Sequence, residues 1–211
     1  MIMETQLPPK YMPEVSGSRR LMSAFIDYLP MFCLSLLTIP FIFLSMSNLY
    51  TIDHALGANV AAVSVFESMK NMFLYLSIFM VISYEYFLCK DLFGGRSIGK
   101  RSQGLQLVRC KANGPVSNAR MVVRNLFILI WIVEVIMYFA NPRQRLGDIV
   151  CDTTVVPADE SNRQPYDGKK VALTMLIVFV GVCLFALLYY KAMCLYFDFV
   201  IQTIENASLY Q

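Results

Sequence analysis

The residues of this 211-residue chain that could do chemistry are charged groups set in or beside long apolar runs. Asp27 closes the stretch SRRLMSAFID, seven positions after Arg20. Glu85 lies in YEYFLCK, Glu134 lies inside LFILIWIVEVIMYFA, and Arg124 and Asp148 flank that last run. An acid at the centre of a membrane helix costs about 2.5–3.5 kcal/mol on insertion scales, so it turns toward the helix bundle or water. Such groups relay a proton or a cation, or they lock segments together as ion pairs. Glu134 sits mid-run, and in a re-entrant hairpin it would be at the tip, where a carboxylate could face a water-filled pocket.

Arg20 and Asp27 fall on one helical face, yet seven residues at 1.5 Å each separate them by about 10 Å along the axis. Different partners are easier than a direct bond: Asp148 for Arg20, and Arg124 or Lys100 for Asp27. Pro30 removes an amide and leaves the carbonyl of Ile26 without its helical partner beside Asp27. The result is either an oxygen-rich spot for a cation or a simple kink. Enzymatic chemistry has less footing. His54 is the one histidine, and the six cysteines (33, 89, 110, 151, 183 and 194) form no C-x-x-C pair. Without a nucleophile–base pair or metal-ligand spacing, the expectation is no catalysis, no metal and no cofactor.

The elements that must position these charges are read from hydropathy. Apolar residues make up 57% of the chain and charged residues 16%, against about half and a quarter in soluble domains. The excess is gathered into four runs, Phe25–Ser47, Met72–Cys89, Leu126–Ala140 and Val171–Tyr190. About 20 apolar residues span the hydrocarbon layer as a helix. The first, second and fourth runs meet that length or nearly so, and the third falls short. The N-terminal tail carries Glu4, Glu14 and three prolines with no apolar core, so it does not read as a cleaved signal.

Charge sets the orientation. Residues 90–124 hold eight Lys or Arg and one acid, Asp91, whereas residues 48–70 hold Asp53, Glu67 and one lysine. Short basic loops stay in the cytoplasm, which puts 90–124 and the N-terminus inside a cell (inner) membrane. Residues 141–170 carry five basic and five acidic groups and give no direction. Two β-branched stretches, LQLVRC (105–110) and TTVV (153–156), read as strands. If they pair, both lie on one side, and Leu126–Ala140 must enter and return as a re-entrant or interfacial segment instead of crossing. The expected fold is therefore an all-α integral membrane protein. It has three full transmembrane helices, one re-entrant or interfacial helical segment and a small cytoplasmic β-strand pair. A tail (1–17), a membrane domain (18–157), a cytoplasmic linker (158–170) and an additional C-terminal helix with its tail (171–211) divide the chain.

Three motifs are more ordered than topology demands: Arg20-x6-Asp27, GGRSIGKRSQGLQLV (94–108) and RQRLGDIVCDTTVV (143–156). In this order, over residues 18–157, they resemble the RDD family of membrane proteins, named for one arginine and two aspartates. The resemblance assigns these to Arg20, Asp27 and Asp148. It matches the family's G-x-T-x-G-K-R segment to Gly95, Ser97, Gly99, Lys100 and Arg101, its later arginine to Arg124, and its second-span glutamate to Glu85. Ser97, Ile98 and Gly147 depart from the threonine, proline and histidine common at those places. The resemblance implies a multi-pass protein with a suspected transport role, in some members linked to sodium–proton exchange.

GGRSIGK lacks the spacing of a nucleotide-binding P-loop, so its glycines read as a tight turn. Arg96, Lys100, Arg101 and Arg109 read as a basic cytoplasmic face on anionic lipid headgroups, worth about 1 kcal/mol per residue near the surface, with no call for nucleic acid. Two functions stay open. One is a transport component for a small ion or solute, which at about four helical segments needs a homo-oligomer or heteromeric complex. The other is a non-transporting accessory or assembly protein that docks lipid or a partner.

Overall fold

The computed structural model describes residues 15–44, 58–110, 115–130, 133, 136–137, 145–159 and 164–208. Glu134 and about half of the segment expected to re-enter (131, 132, 134, 135 and 138–140) lie outside them, as does the tail up to residue 14. In chain order the elements are helix α1 (Gly17–Leu36), α2 (Ala58–Cys89), α3 (Ile98–Ser102), strand β1 (Leu105–Arg109), α4 (Asn118–Leu126), α5 (Leu146–Val150), strand β2 (Thr153–Pro157) and α6 (Gly168–Ser208). A short 3-10 turn, Phe127–Ile130, continues α4.

Three helices are long and apolar enough to cross a membrane, Gly17–Leu44, Val65–Cys89 and Gly168–Ile204. They cover the first, second and fourth apolar runs. The runs misjudge where the helices end. α2 begins at Ala58, inside the stretch expected as a loop, and α6 reaches Ser208 instead of stopping near Tyr190. A helix continues through polar residues when they satisfy one another. Lys70 donates to Glu67 at 2.7 Å and to Asp198 at 2.6 Å. At 1.5 Å per residue, the 41 residues of α6 extend roughly 60 Å, about twice the hydrocarbon thickness. Leu187, Leu188, Leu195 and Phe199 are each more than half exposed, as a lipid-facing surface requires.

The chain divides into two compact units, residues 1–29 with 87–176 and residues 30–86 with 177–211. The second unit is held by rings. Phe41 packs on Tyr75 and Phe79 at centroid distances of 5.4 and 5.6 Å, and Phe73 packs on Phe197 at 5.6 Å. Offset and tilted ring pairs of this kind each add about 0.5–1.5 kcal/mol beyond burial.

The first unit contains the sheet. β1 and β2 pair antiparallel with Leu105 opposite Pro157 and Arg109 opposite Thr153, as the two β-branched stretches predict. Two strands alone are marginally stable, so neighbours must anchor them. Leu107 donates its amide to the Gly95 carbonyl at 3.0 Å. Gln164, expected in a linker, is buried against the same strand. Its Nε2 donates to the Leu107 carbonyl at 2.7 Å and its Oε1 accepts from the Val116 amide at 3.0 Å.

Candidate functional site: a buried charge cluster

α1 buries two residues, Ser23 and Asp27, one turn apart on a single face. Gly99 meets that face. A Cβ at Gly99 would stand 2.0 Å from the Ser23 carbonyl oxygen, so only glycine lets α3 lie against the α1 backbone. At this approach the Gly99 amide donates to Asp27 Oδ1 at 2.8 Å, and Ser97 Oγ donates to Asp27 Oδ2 at 2.7 Å. Ser97 Oγ also accepts from the Lys100 amide at 3.2 Å and so caps α3. The glycine-rich motif is thus a clamp for a carboxylate carried on the first helix.

A second knot forms where α4 and α5 meet. A Cβ at Gly147 would lie 2.5 Å from the Arg124 carbonyl oxygen, so the two short helices touch through backbone. Arg124 donates from Nη1 to Asp91 Oδ2 at 2.9 Å and from Nε to Asp148 Oδ1. Lys100 Nζ donates to the other oxygen of Asp91. Asp148 Oδ2 accepts from the Arg145 amide at 3.2 Å, and its Oδ1 accepts from Thr153 Oγ1 at 3.1 Å. Asn125 Nδ2 reaches the Leu88 carbonyl at 3.2 Å and ties this knot to the end of α2.

These contacts decide the ionisation states. Burial alone would raise the Asp91 carboxyl, but Lys100 and Arg124 hold it well below the usual carboxylate range. Burial likewise opposes ionisation of Asp148, and Arg124 outweighs it. Both aspartates are therefore anions at neutral pH. Burial lowers the Lys100 ammonium, against the pull of Asp91.

Lys90 is different. Its side chain is 5% exposed, and the nearest carboxylate oxygen, Asp27 Oδ2, is 3.6 Å away, beyond a hydrogen bond. The ammonium stands 3.6 Å from the centroid of the Phe87 ring and 5.6 Å from that of Tyr28, a cation–π setting. Burial, reinforced by Lys100, pushes its pKa down to about 7, with Asp91 and Asp27 opposing.

Two cavities of about 30 Å³ each open among these side chains, room for one or two water-sized groups. Lys90, Arg124, Arg145 and Asp148 line both. Arg20, Asp27 and Lys100 line the second, and Tyr28, Phe87 and Asn125 the first.

Of the residues singled out from sequence, Arg20, Asp27, Arg124 and Asp148 thus come together around one cavity. The expected pairing of Arg20 with Asp148 gives way to Arg124 with Asp148, while Arg20 Nη2 donates to the Val155 carbonyl in β2 at 2.8 Å. Glu85 lies in α2 within the second unit, and Glu134 lies outside the described residues. The expected basic face divides. Arg101 is exposed, Arg96 and Arg109 are half-buried, and Lys100 leaves the face altogether because Asp91 draws it into the interior. Lys90, Asp91, Asn125 and Arg145 were not anticipated. The signal for Asp91 was its standing as the sole acid among residues 90–124.

The model of the RDD family matches residues 15–152, well over half of the chain. No curated protein and no solved structure matches it.

Proposed function

The chain belongs to the RDD family of membrane proteins, and from that premise we propose that it is a transport component for a small ion or solute, working in an oligomer or a larger membrane complex. The observation that carries this reading is the pair of small cavities walled by buried charges in the first unit. A sealed core has no use for polar space of this size, whereas a binding or relay site does. The charge bias of residues 90–124 supports a cell-membrane location with the N-terminus and the sheet in the cytoplasm. Pairing of β1 with β2 supports a segment 126–140 that returns to the side it left. The reading involves no catalysis.

A second reading, an accessory or assembly protein that meets anionic lipid or a partner, draws support from the pairing of the aspartates. Asp27, Asp91 and Asp148 each accept at least two hydrogen bonds, which suits a clasp as well as a path. Liposome reconstitution with an interior pH dye and an imposed sodium gradient separates the two. Transport predicts a flux in the wild type that Asp27→Asn abolishes. A folded protein that gives no flux under proton, sodium or anion gradients leaves the accessory role.

A further inference from the structure

The cluster has a surplus of positive charge. Its carboxylates are Asp27, Asp91 and Asp148, and its cations are Arg20, Lys90, Lys100, Arg124 and Arg145. Asp91 and Asp148 are taken by Lys100 and Arg124. Asp27 is satisfied by Ser97 and Gly99. Lys90 is left with three ammonium protons, one carboxylate at 3.6 Å, and a position on the wall of both cavities. Arg145 lines the same two cavities. A buried cation without a hydrogen-bonded acceptor is costly, and a bound anion removes that cost.

We infer that the cavities flanked by Lys90 and Arg145 form a binding site for a small anion that presents one or two acceptor atoms, either a halide or the terminal oxygens of a phosphate. The volume admits no more than that. The low pKa of Lys90 describes the site without its anion, and an anion beside the ammonium would keep it charged. This inference concerns what the cluster holds, and it stands whether or not the chain moves anything across the membrane.

Thermal unfolding of the full chain in phosphatidylcholine nanodiscs tests it. Sodium chloride and sodium phosphate are titrated against sodium gluconate, an anion too large for the cavities, at matched ionic strength. A saturable rise in Tm with chloride or phosphate over gluconate is expected, and Lys90→Met and Arg145→Gln should remove that increment. A rise seen only when phosphatidylglycerol replaces part of the phosphatidylcholine, and lost in both variants, assigns the anion to a lipid headgroup. A rise with the free salts assigns it to an inorganic ion. If no anion and no lipid raises Tm, or if the increment survives in both variants, the inference is overturned. Should Lys90→Met fail to fold, Arg145→Gln decides alone, and a retained increment there overturns it.

Discussion

Arg124 Nε donates to Asp148 Oδ1 with both side chains almost sealed, 6% and 2% exposed. The same guanidinium donates to Asp91 Oδ2 at 2.9 Å, so one planar fork neutralises two acids that reach it from separate segments. Removing one partner of a buried pair leaves an uncompensated charge, at a cost of about 3–5 kcal/mol. Arg124→Met should therefore lower the Tm of the detergent-solubilised protein by roughly 6–20 °C, taking 2–4 °C per kcal/mol for a chain of this length. Arg124→Lys should recover little, because an ammonium cannot hold two carboxylates in fixed directions. A lysine variant as stable as the wild type would show that charge alone suffices.

The glycines supply a test of opposite signs. Alanine at Gly99 would place its Cβ 2.0 Å from the Ser23 carbonyl oxygen, which is backbone and cannot swing aside. Gly99→Ala should cost at least the 1–3 kcal/mol or so of an overpacked core, and it should loosen the amide bond to Asp27. Gly181, in the middle of α6, has nothing within 4 Å of such a Cβ. There alanine gains about 0.5–1 kcal/mol of helix preference, so Gly181→Ala should hold or raise Tm. Equal effects at the two positions would contradict the close contact of α3 with α1.

Stability should respond to pH from both sides. Asp91 and Asp148 have depressed pKa values in the folded state. Their contribution is full above the ordinary carboxylate value near 4 and is lost as pH falls through their folded values. Lys90 has a lowered folded pKa, about 7. Below pH 7 both folded and unfolded chains carry this proton and the fold bears the full cost of a buried ammonium. Between about 7 and the ordinary lysine value near 10.4 the folded state sheds it first, so stability rises with pH. The groups facing Lys90 are Asp27 on α1, Asp91 and Lys100 after α2, and Arg145 before α5. Without added small anions, denaturation midpoints from pH 6.5 to 9.5 should climb in the wild type and stay flatter in Lys90→Met. Parallel curves would mean that Lys90 does not titrate in this window.

What was legible in the sequence depended on range. Apolar runs mark three long helices because burial in lipid is a local property of each segment, and the β-branched stretches mark both strands for the same reason. Asp27, Arg124 and Asp148 stood out as charges beside apolar runs. Their partners did not, since pairing requires the loop after α2 to fold back under α1 and α4. Lys90 and Asp91 entered only the charge count of residues 90–124, because nothing local to them shows what covers them. Arg20 was matched to Asp148 by sign alone, but the β2 carbonyl of Val155 lies within its reach and Arg124 occupies the acid. The helix overhangs were missed because Glu67 and Lys70 read as a loop until Asp198, far along the chain, meets them.

Pairing of β1 with β2 makes a final prediction about the membrane. The two strands form one hydrogen-bonded ribbon five residues long, roughly 17 Å at 3.4 Å per residue, and a bilayer cannot divide it without stranding backbone groups in hydrocarbon. Cys110 follows one end of β1, and Asp159 follows β2 near the other end of the ribbon; both are exposed. With the other five cysteines replaced, Cys110 alone and Asp159→Cys in a Cys110→Ala background should react with a membrane-impermeant maleimide from the same side. If that side is the cytoplasm, both label in inside-out vesicles and neither in right-side-out ones. Labelling from opposite sides would mean that residues 126–140 cross the bilayer and that the ribbon does not form in the membrane. Labelling of both from the outer side would keep the ribbon and invert the orientation assigned from the lysines and arginines of residues 90–124.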